Sequence, residues 1–483
     1  MLYLIILLPL ALGISSAFSR PGGSKTQTVC FLAVQAAELV AVIFAVTSGK
    51  AWETPPRALT ESLLFSLRLD GLGAFFCLLT ACAWLLTILY ASVYMTHEGA
   101  EPRFYAFLFS TEAAVMGAAL AADTVTFYLF FEMTTLLSAP LVLHDLTPKA
   151  VLGSIKYLYY SIGGAFAALF GIALFAVNGS VSFALGGTLG DGPLSPTLMA
   201  AAFCTVLGFG AKAGLYPLHN WLPAAHPVAP APAHALLSGI IAKVGALGIL
   251  RMIFFVIGVE HLRGTWVQYT AIVLALIGVA MGSFMGCVEM GLKKRLAYSS
   301  ISQISYVLLG IFILTPHGVE GGLLQIFFHA AAKIGVFQCA GAVIFLTGKT
   351  RVDEFRGLGR RIPITTVCFT ILSLSLVGIP PLGGFWSKWH LCLAALEGLP
   401  TVLSYLVPAV LILSALLTAG YLFAPIVSAF FPGEDCPAEL TEPVKEPLAM
   451  VVSLIVFCLV CTVLGLYPAP LVSALEHIAG ALM

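Results

Sequence analysis

Four lysines lie deep inside apolar, membrane-length segments of this chain: Lys212, Lys243, Lys333 and Lys388. A charge at the centre of a bilayer costs about 3 to 15 kcal/mol, depending on the reference state. A fold tolerates such a residue where it lines a wet cavity, pairs with an opposite charge or exchanges protons. One buried lysine is compatible with a purely structural role. Four of them, in four separate segments, indicate a path for charge.

Carboxylates that could act with these lysines occur in the same kind of segment. Glu132 lies among aromatic residues, and Glu112 lies in the preceding apolar run. Glu132 needs a partner, because a buried carboxylate is unstable as an isolated anion. A lysine on a neighbouring helix would supply one. Glu38 has two open interpretations, as a helix-end or lipid-adjacent carboxylate or as a functional group.

Histidines and hydroxyl groups extend the set of candidate proton carriers. His329 precedes Lys333 by four residues, which places both on one helix face and favours a relay. For His219 and His226 a satisfied core residue or a cap is the alternative, and His234 stands at the start of the next apolar run. A polar stripe compatible with helix–helix hydrogen bonds or with a water path consists of Ser299, Ser300, Ser302, Gln303, Ser305 and Tyr306.

The composition is that of a membrane protein. The 483 residues are 60% hydrophobic and only 10% charged, with a mean hydropathy of +1.01, whereas soluble proteins have about 25% charged residues. The net charge of zero excludes a basic field for nucleic acid. The Cys458–Cys461 pair lacks the further ligands of a zinc or iron–sulfur site. We therefore expect no cofactor and no metal in this chain.

Fourteen apolar runs are long enough to cross a hydrocarbon core of about 30 Å. Because they are continuously apolar and do not alternate, they predict helices rather than barrel strands. The expected fold is an all-α integral membrane protein of about fourteen transmembrane helices, one domain over residues 1–483. The first run is interpreted as a retained helix rather than a cleaved signal peptide. The runs are 2–18, 29–47, 71–95, 104–122, 124–144, 151–177, 197–216, 233–258, 266–287, 296–315, 321–347, 363–396, 402–431 and 447–467.

Two of the predicted helices are interrupted beside a lysine. Helix 7 contains Gly208–Pro217 around Lys212, and helix 12 contains Gly378–Pro381 before Lys388. Proline frees backbone carbonyls, and a broken helix with an ionisable residue is typical of a transport site. The interruptions are five helices apart. The sequence therefore predicts two five-helix repeats, helices 4–8 (104–258) and 9–13 (266–431), which are inverted because five is an odd number.

The distribution of lysine and arginine in the loops predicts the orientation. Loops after even-numbered helices carry five such residues: Lys50, Arg57, Arg68, Arg251 and Arg263. Loops after odd-numbered helices carry thirteen: Arg20, Lys25, Arg103, Lys149, Lys293, Lys294, Arg295, Lys349, Arg351, Arg356, Arg360, Arg361 and Lys445. The loops after odd-numbered helices are therefore expected in the cytoplasm, with both termini outside the cell.

The stretch from Lys212 to Lys243, with His219–His226 inside it, resembles the core signature of a family of antiporter-like membrane subunits. The family occurs in respiratory complex I, in Mrp sodium/proton antiporters and in energy-converting membrane-bound hydrogenases. Other parts of the family pattern follow in order: Glu132, the His329/Lys333 pair, Lys294–Ser300 and Gly378–Lys388. The resemblance covers about residues 60–430. Lys388, where some members carry glutamate, favours the Mrp D-type subunit or its complex I and hydrogenase counterparts.

The resemblance implies fourteen core helices in two inverted repeats and proton translocation without a bound cofactor. It implies that Glu132 and Lys212 form the pair of the first half-channel, and that Lys243 and Lys333 continue a hydrated axis to Lys388 in the second. The candidate relay residues are His329, His234, Glu112 and His219. It also implies a translocation subunit in the cell membrane, without catalysis of its own, assembled with other antiporter-like and small membrane subunits.

Two other functions remain open from the sequence. A stand-alone secondary transporter for a cation or small solute is disfavoured because the apolar runs contain no aspartate cluster, and lysines would repel a bare cation. A non-conducting membrane scaffold would require each of the four lysines to be paired with an opposite charge without taking part in transport. The complex to which the chain belongs, the passage of sodium and the direction of coupling are open as well.

Overall fold

The fold is built almost entirely from α-helices. The computed structural model describes residues 1–19, 25–58, 64–190, 192–434, 436–437 and 440–483, so Arg20 of the predicted orientation pattern lies outside the described residues. Two short strands, β1 (Arg57–Ala58) and β2 (Leu64–Phe65), pair in antiparallel fashion. The α-helices are α1 Leu2–Ala17, α2 Lys25–Thr47, α3 Gly71–Glu98, α4 Glu101–Leu120, α5 Thr124–Val142, α6 Pro148–Asn178, α7 Pro196–Ala213, α8 Leu222–Ala225, α9 Ala231–Leu236, α10 Lys243–Met252, α11 Val259–Leu262, α12 Trp266–Val288, α13 Leu292–Phe312, α14 Pro316–Thr347, α15 Leu358–Arg361, α16 Pro363–Val377, α17 Gly384–Gly398, α18 Thr401–Phe430, α19 Leu448–Leu466 and α20 Ala469–Leu482.

The helical membrane class predicted from the sequence is confirmed. Within the described ranges, ten helical segments are long and apolar enough to cross a membrane. Shorter apolar helices, α1, α16 and α20, accompany them. The count of fourteen spans and the inverted repeats stay predictions.

Both predicted interruptions coincide with helix ends. α7 ends at Ala213 and is followed by Gly214 with φ +80°, while α16 ends at Val377 and is followed by Gly378 with φ +91°. Glycine takes this left-handed conformation without steric cost and so terminates a helix. The prolines that follow cannot continue it. Helix 12 of the sequence prediction is therefore two helices, α16 and α17, separated by residues 378–383.

A close contact between α6 and α7 fixes the position of the first interruption. A Cβ atom added to Gly164 would lie 2.6 Å from Gly208 O, and one added to Gly208 would lie 2.5 Å from Gly164 O. Only glycine at both positions permits this approach, as in other closely packed membrane helices. The contact lies one turn before Lys212 and holds the end of α7 against its neighbours.

The centre of the domain is a single long helix that includes two π segments. α9, the π segment Leu237–Ile241, α10 and the π segment Ile253–Ile257 run continuously as Ala231–Ile257. Every residue in its most apolar 18-residue window is buried. This helix contacts α13 and α14. Lys243 and Lys333 therefore lie on helices of the interior and not on the outer ring.

The C-terminal helix α20 is not predicted from the sequence. Its 14 residues follow Pro468, and Pro470 stands in its first turn, so hydropathy alone ends the last run at residue 467. Leu475, Ala479 and Leu482 are buried, because α20 packs against α14. Tertiary packing thus stabilises a helix too short to be recognised as a span.

Candidate proton-transfer site

Lys212 stands in the last turn of α7 and is fully buried. Its Nζ donates to Phe131 O at 3.2 Å and to Thr135 Oγ1 at 2.6 Å, both on α5. The Nζ atom also lies 4.6 Å from the centroid of the Phe131 ring. One turn of α5 therefore holds the ammonium group with a carbonyl, a hydroxyl and an aromatic face.

Glu132 is near Lys212 but does not form the direct ion pair that the sequence implied. None of the side-chain pairs within 4.0 Å in the described part of the chain joins these two residues. They interact electrostatically over a longer distance, and Glu132 lies beside Tyr128. Glu132 is half-buried and adjoins an exposed face of α5 that carries Leu129 and Met133. The reason is geometric, because the Lys212 side chain extends to the face of α5 that carries Phe131 and Thr135 rather than to Glu132.

Lys243 is fully buried at the first residue of α10, directly after a π segment. Its Nζ donates to Ser238 O at 2.9 Å and to Gly239 O at 2.6 Å. A π segment changes the regular α-helical bonding and is frequent at functional sites. The carbonyl groups of this segment therefore accept hydrogen bonds from a lysine of their own helix.

Lys333 is fully buried in the middle of α14. Its Nζ donates to Leu296 O of α13 at 2.9 Å and lies 5.3 Å from the centroid of the Phe337 ring. Lys243 and Lys333 are electrostatic neighbours. Two lysines from different helices are thus brought to one interior region, without a carboxylate of the described chain paired to either.

Lys388 lies on α17, just after the second interruption. Its Nζ donates to Leu376 O at 2.6 Å and to Val377 O at 2.5 Å, the last carbonyls of α16. A cation at this end interacts favourably with the helix dipole. The Nζ atom is 5.4 Å from the centroid of the Tyr306 ring. Lys388 therefore provides hydrogen-bond donors for the carbonyl groups at the end of α16.

Helix α13 connects Lys333 with Lys243 through shared partners. Leu296 O accepts hydrogen bonds from Lys333 Nζ and, at 3.0 Å, from Ser300 Oγ. Ser300 Oγ lies 2.7 Å from Ser238 Oγ, and Ser238 O accepts from Lys243 Nζ. Three intervening residues thus span the distance between the two lysines.

The same helix reaches Lys388. Gln303 Nε2 donates at 3.4 Å to Leu376 O, which also accepts from Lys388 Nζ. Gln325 Nε2 donates to Gln303 Oε1 at 2.8 Å, and Ser387 Oγ donates to Gln325 Oε1 at 2.6 Å. Sequence reasoning missed Gln325 and Ser387. The available signal for Gln325 was its position four residues before His329 on α14.

The polar stripe of α13 divides into two groups. Ser300 and Gln303 contact the lysine network, as described above. Ser302 bonds Ser283 at 2.9 Å, and Ser305 donates at 2.8 Å to Ile301 O of its own helix. Tyr306 Oη donates to Leu411 O at 3.0 Å. Helix packing therefore accounts for Ser302 and Ser305, contact with the lysine network accounts for Ser300 and Gln303, and Tyr306 takes part in both.

Three of the histidines gather around the central lysines. His329 interacts electrostatically with Lys243, Lys333 and Lys388. The rings of His226 and His234 lie 4.6 Å apart, and the His234 ring lies 3.7 Å from that of Phe337, which also faces Lys333. The ring nitrogens of His226, His234 and His329 are buried and have no hydrogen-bond partner among the described residues. Their hydrogen-bonding capacity remains available at the centre of the protein.

The remaining predicted relay residues lie apart from this group. The His219 ring stacks on Tyr216 at 5.5 Å, inside the first interruption. Glu112 accepts a hydrogen bond from Gln35 Nε2 at 2.6 Å, on the helices before α5. Glu38 bonds the same amide and is 1% exposed, so the lipid-adjacent interpretation of Glu38 is wrong.

A buried ion pair that sequence reasoning missed joins Arg251 of the central helix to Asp70. Arg251 Nη1 and Nη2 donate to the two carboxylate oxygens of Asp70, and Nη2 also donates to Ala119 O at 3.2 Å. Arg251 is fully buried, although the sequence placed it at a helix end facing a loop. An arginine within the apolar run 233–258 was the available signal. This pair anchors the interior helix to the start of α3.

The structure thus places Lys212, Lys243, Lys333 and Lys388 in a mainly helical membrane fold, and α13 links the last three of them. The family described as "NADH:quinone oxidoreductase/Mrp antiporter, TM" matches residues 121–416. NADH-quinone oxidoreductase subunit N of Desulforudis audaxviator is 31% identical, over 97% of this chain and 96% of the relative. The fold is similar to a chain in the Mrp complex from Dietzia (TM-score 0.85, 23% identity, covering 100% and 97% of the two chains). It is equally similar to a chain of respiratory complex I from Thermus thermophilus (TM-score 0.85, 24% identity, 100% and 99%). The chain therefore belongs to the family of antiporter-like membrane subunits shared by NADH:quinone oxidoreductases and Mrp antiporters.

Proposed function

We propose that this chain moves protons across the cell membrane as one subunit of a multisubunit complex. Lys212, Lys243, Lys333 and Lys388 are the proton-carrying groups, with Glu132 modulating Lys212. The observation that carries the proposal is the series of contacts from Lys243 through α13 to Lys333. It supports transfer because it holds two titratable ammonium groups in one polar region at membrane depth. The carbonyl groups in the series position the lysines and do not carry the proton themselves.

The proposed mechanism is coupled titration of the lysines. Each ammonium group is bound to carbonyl or hydroxyl oxygens, and none of these accepts a proton at neutral pH. A proton that leaves Lys243 or Lys333 must therefore go to another titratable group, and His329 is in electrostatic range of both. Lys243 and Lys333 repel each other when both are charged, so protonation of one favours release from the other.

The proposed membrane topology follows the prediction from the sequence. Fourteen spans in two inverted repeats, 104–258 and 266–431, put the interruptions after Ala213 and Val377 in corresponding positions. The termini lie outside the cell and the loop with Lys149 in the cytoplasm. Cysteines introduced at Lys149 and at Met483 should then react with an impermeant thiol reagent from opposite sides of sealed vesicles. Labelling of both from one side contradicts this topology.

The proposed partners are other antiporter-like and small membrane subunits. The similarity to a chain of the Mrp complex and to one of complex I supports this, and it disfavours a transporter acting alone. We propose that energy from redox chemistry, where the complex uses it, enters through partner subunits. Purification of the native complex, with its subunits identified by mass spectrometry, distinguishes an Mrp-type from an oxidoreductase assembly.

The proposed path through α13 is tested by replacing Ser300 with alanine. Ser300→Ala removes the hydroxyl that contacts Leu296 O and Ser238, and it should lower proton flux in vesicles about fivefold, equivalent to about 1 kcal/mol. The matched control is Ser305→Ala on the same helix, because the Ser305 hydroxyl bonds only Ile301 O in the described structure. Equal flux in both variants and the wild type removes Ser300 from the path.

A further inference from the structure

A second polar cluster lies away from the four lysines, between α2 and α4. Gln35 Nε2 donates to Glu38 Oε2 at 2.8 Å and to Glu112 Oε1 at 2.6 Å. All three side chains are at most 1% exposed. The cluster also precedes residues 121–416, the part of the chain that the family pattern matches. The lysine path does not include it, and only Glu112 among its residues was a relay candidate from the sequence.

No cation of the described chain neutralises these carboxyl groups. Neither Glu38 nor Glu112 has a basic side chain within 4.0 Å in the described ranges. Arg251 on the adjoining helix α10 is already paired with Asp70, and Cys77 of α3 interacts with this pair and with Glu38. A buried charge without a partner costs several kcal/mol. Two adjacent carboxyl groups cannot both ionise under these conditions, so they hold at least one proton.

Thr80 of α3 provides an independent observation, a buried hydroxyl without a hydrogen-bond partner among the described residues. Trp84 Nε1 donates to Leu108 O of α4 at 3.1 Å, and a Cβ atom on Gly73 would lie 2.6 Å from Ala119 O. Residues 73, 80 and 84 share one helix face, and the two contacts show that α3 and α4 are antiparallel. Thr80 therefore faces α4 at the level of Glu112.

Three acceptor oxygens around this position share one available donor, the Thr80 hydroxyl. Four buried atoms have no hydrogen-bond partner among the described residues: Gln35 Oε1, Glu38 Oε1, Thr80 Oγ1 and Glu112 Oε2. Buried polar atoms are nearly always satisfied in folded proteins. A proton on a carboxyl oxygen turns that oxygen into a donor and reduces the deficit, whereas a further anion or carbonyl would increase it.

A small polar cavity lies at the end of the same three helices. Its volume is about 20 Å³, enough for one water molecule. The cavity is lined by Ser19, Gln27, Thr28, Phe31, Ser92, Thr96, Glu101, Pro102 and Tyr105. Phe31 precedes Gln35 by one helical turn, and its ring lies 5.0 Å from those of Tyr105 and Phe109. These three rings separate the cavity from the carboxyl pair.

We propose that Glu38, Gln35, Glu112 and Thr80 form a second proton-binding site that exchanges with the aqueous phase through this cavity. The two carboxyl groups share one proton, and Phe31 closes the route between them and the cavity. In exchange, an O–H bond of a hydronium ion in the cavity breaks and one forms on the ionised carboxylate, while the O–H bond of the other carboxyl group breaks and its proton passes to water in the cavity. The pair keeps one proton, and nothing is oxidised or reduced. The proposal does not depend on the lysine path, because it concerns other helices.

The site is tested by infrared spectroscopy of the full chain in vesicles at neutral pH. The wild type should show a protonated-carboxyl band that is lost in the double variant Glu38→Gln/Glu112→Gln and shifted in frequency in either single variant. Glutamine has the shape of a neutral glutamic acid, so folding is retained, and thermal unfolding checks this. Glu476→Gln on the exposed face of α20 is the control and should leave the band unchanged. A folded double variant with the wild-type spectrum overturns the proposal.

Two further measurements test the occupant and the route. Replacing choline by sodium at constant pH should leave the band unchanged, and its loss would identify a metal cation as the occupant instead. In heavy water, Phe31→Ala should speed deuterium exchange of the band by at least about tenfold. Phe345→Ala, which changes an aromatic residue on α14, should not. Unchanged exchange in Phe31→Ala overturns the proposed route.

Discussion

The two interrupted helices use their lysines in opposite ways. Lys212 precedes its interruption and reaches across to α5, while Ala211 O, at the broken end, accepts from Trp221 Nε1 at 2.9 Å. Lys388 follows its interruption and is itself the donor to the last carbonyls of α16. A neutral indole donates a hydrogen bond to a carbonyl at the end of α7, whereas an ammonium group donates to the carbonyls at the end of α16. Loss of charge from Lys388 therefore changes the helix end, and loss of charge from Lys212 does not.

The largest effect is expected for Lys388→Leu. The variant removes the titratable group, leaves Val377 O without its side-chain donor and leaves Leu376 O with only the long hydrogen bond from Gln303. Proton flux of the assembled complex in vesicles should fall at least about a hundredfold, and stability by roughly 3 kcal/mol for two charge-assisted hydrogen bonds. Lys149→Ala, at an exposed position, should match the wild type in both measurements. Equal flux of Lys388→Leu and wild type would falsify a proton-carrying role for Lys388.

Lys212→Ala and Glu132→Ala should each abolish most proton flux while the end of α7 stays intact. Because the two side chains are not in direct contact, a double-mutant cycle on thermal stability should give a coupling energy below about 1 kcal/mol. A coupling of several kcal/mol would mean that the two groups pair closely in the membrane. In that case the contact of Lys212 with Thr135 would not represent the resting state.

Lys388→Glu should have an intermediate effect. It keeps a titratable group at this position, but an ionised carboxylate would be repelled by the carbonyls at the end of α16. Flux between that of wild type and that of Lys388→Leu is expected, measured in the same vesicles. Flux as low as that of the leucine variant would show that position 388 requires a donor to the carbonyls of α16, and that a titratable group alone is not enough.

Trp221→Phe should have the smallest effect. It keeps the aromatic ring but removes the hydrogen bond to Ala211 O, which should lower stability by about 1 kcal/mol. Proton flux should change less than twofold, since Lys212 keeps its partners on α5. If flux instead falls as far as in Lys212→Ala, the first interruption resembles the second, and the contrast between them is lost.

Local features of the sequence predicted the parts of the fold that local physics determines. Hydropathy located the apolar helices, and Gly214 and Gly378 with the following prolines located both interruptions. Partners across helices were not predictable, because they depend on packing. Gln325 and Trp221 are examples, and so is the absence of a direct contact between Glu132 and Lys212. Lys293 was placed on a surface loop, yet it lies on α13, half-buried, and donates to Ala229 O at 3.1 Å.

The π segment before Lys243 has a consequence for how this helix tolerates changes in length. Each residue of an α-helix turns the chain by about 100° around the axis, whereas a π turn needs one more residue to complete the same rotation. The segment Leu237–Ile241 therefore takes up one residue without changing the direction of the side chains that follow. Deletion of one residue within it would restore regular winding and leave Arg251 facing Asp70, but it would alter the carbonyl groups of Ser238 and Gly239 that bond Lys243. A deletion between Lys243 and Arg251 would instead turn Arg251 by about 100° away from Asp70.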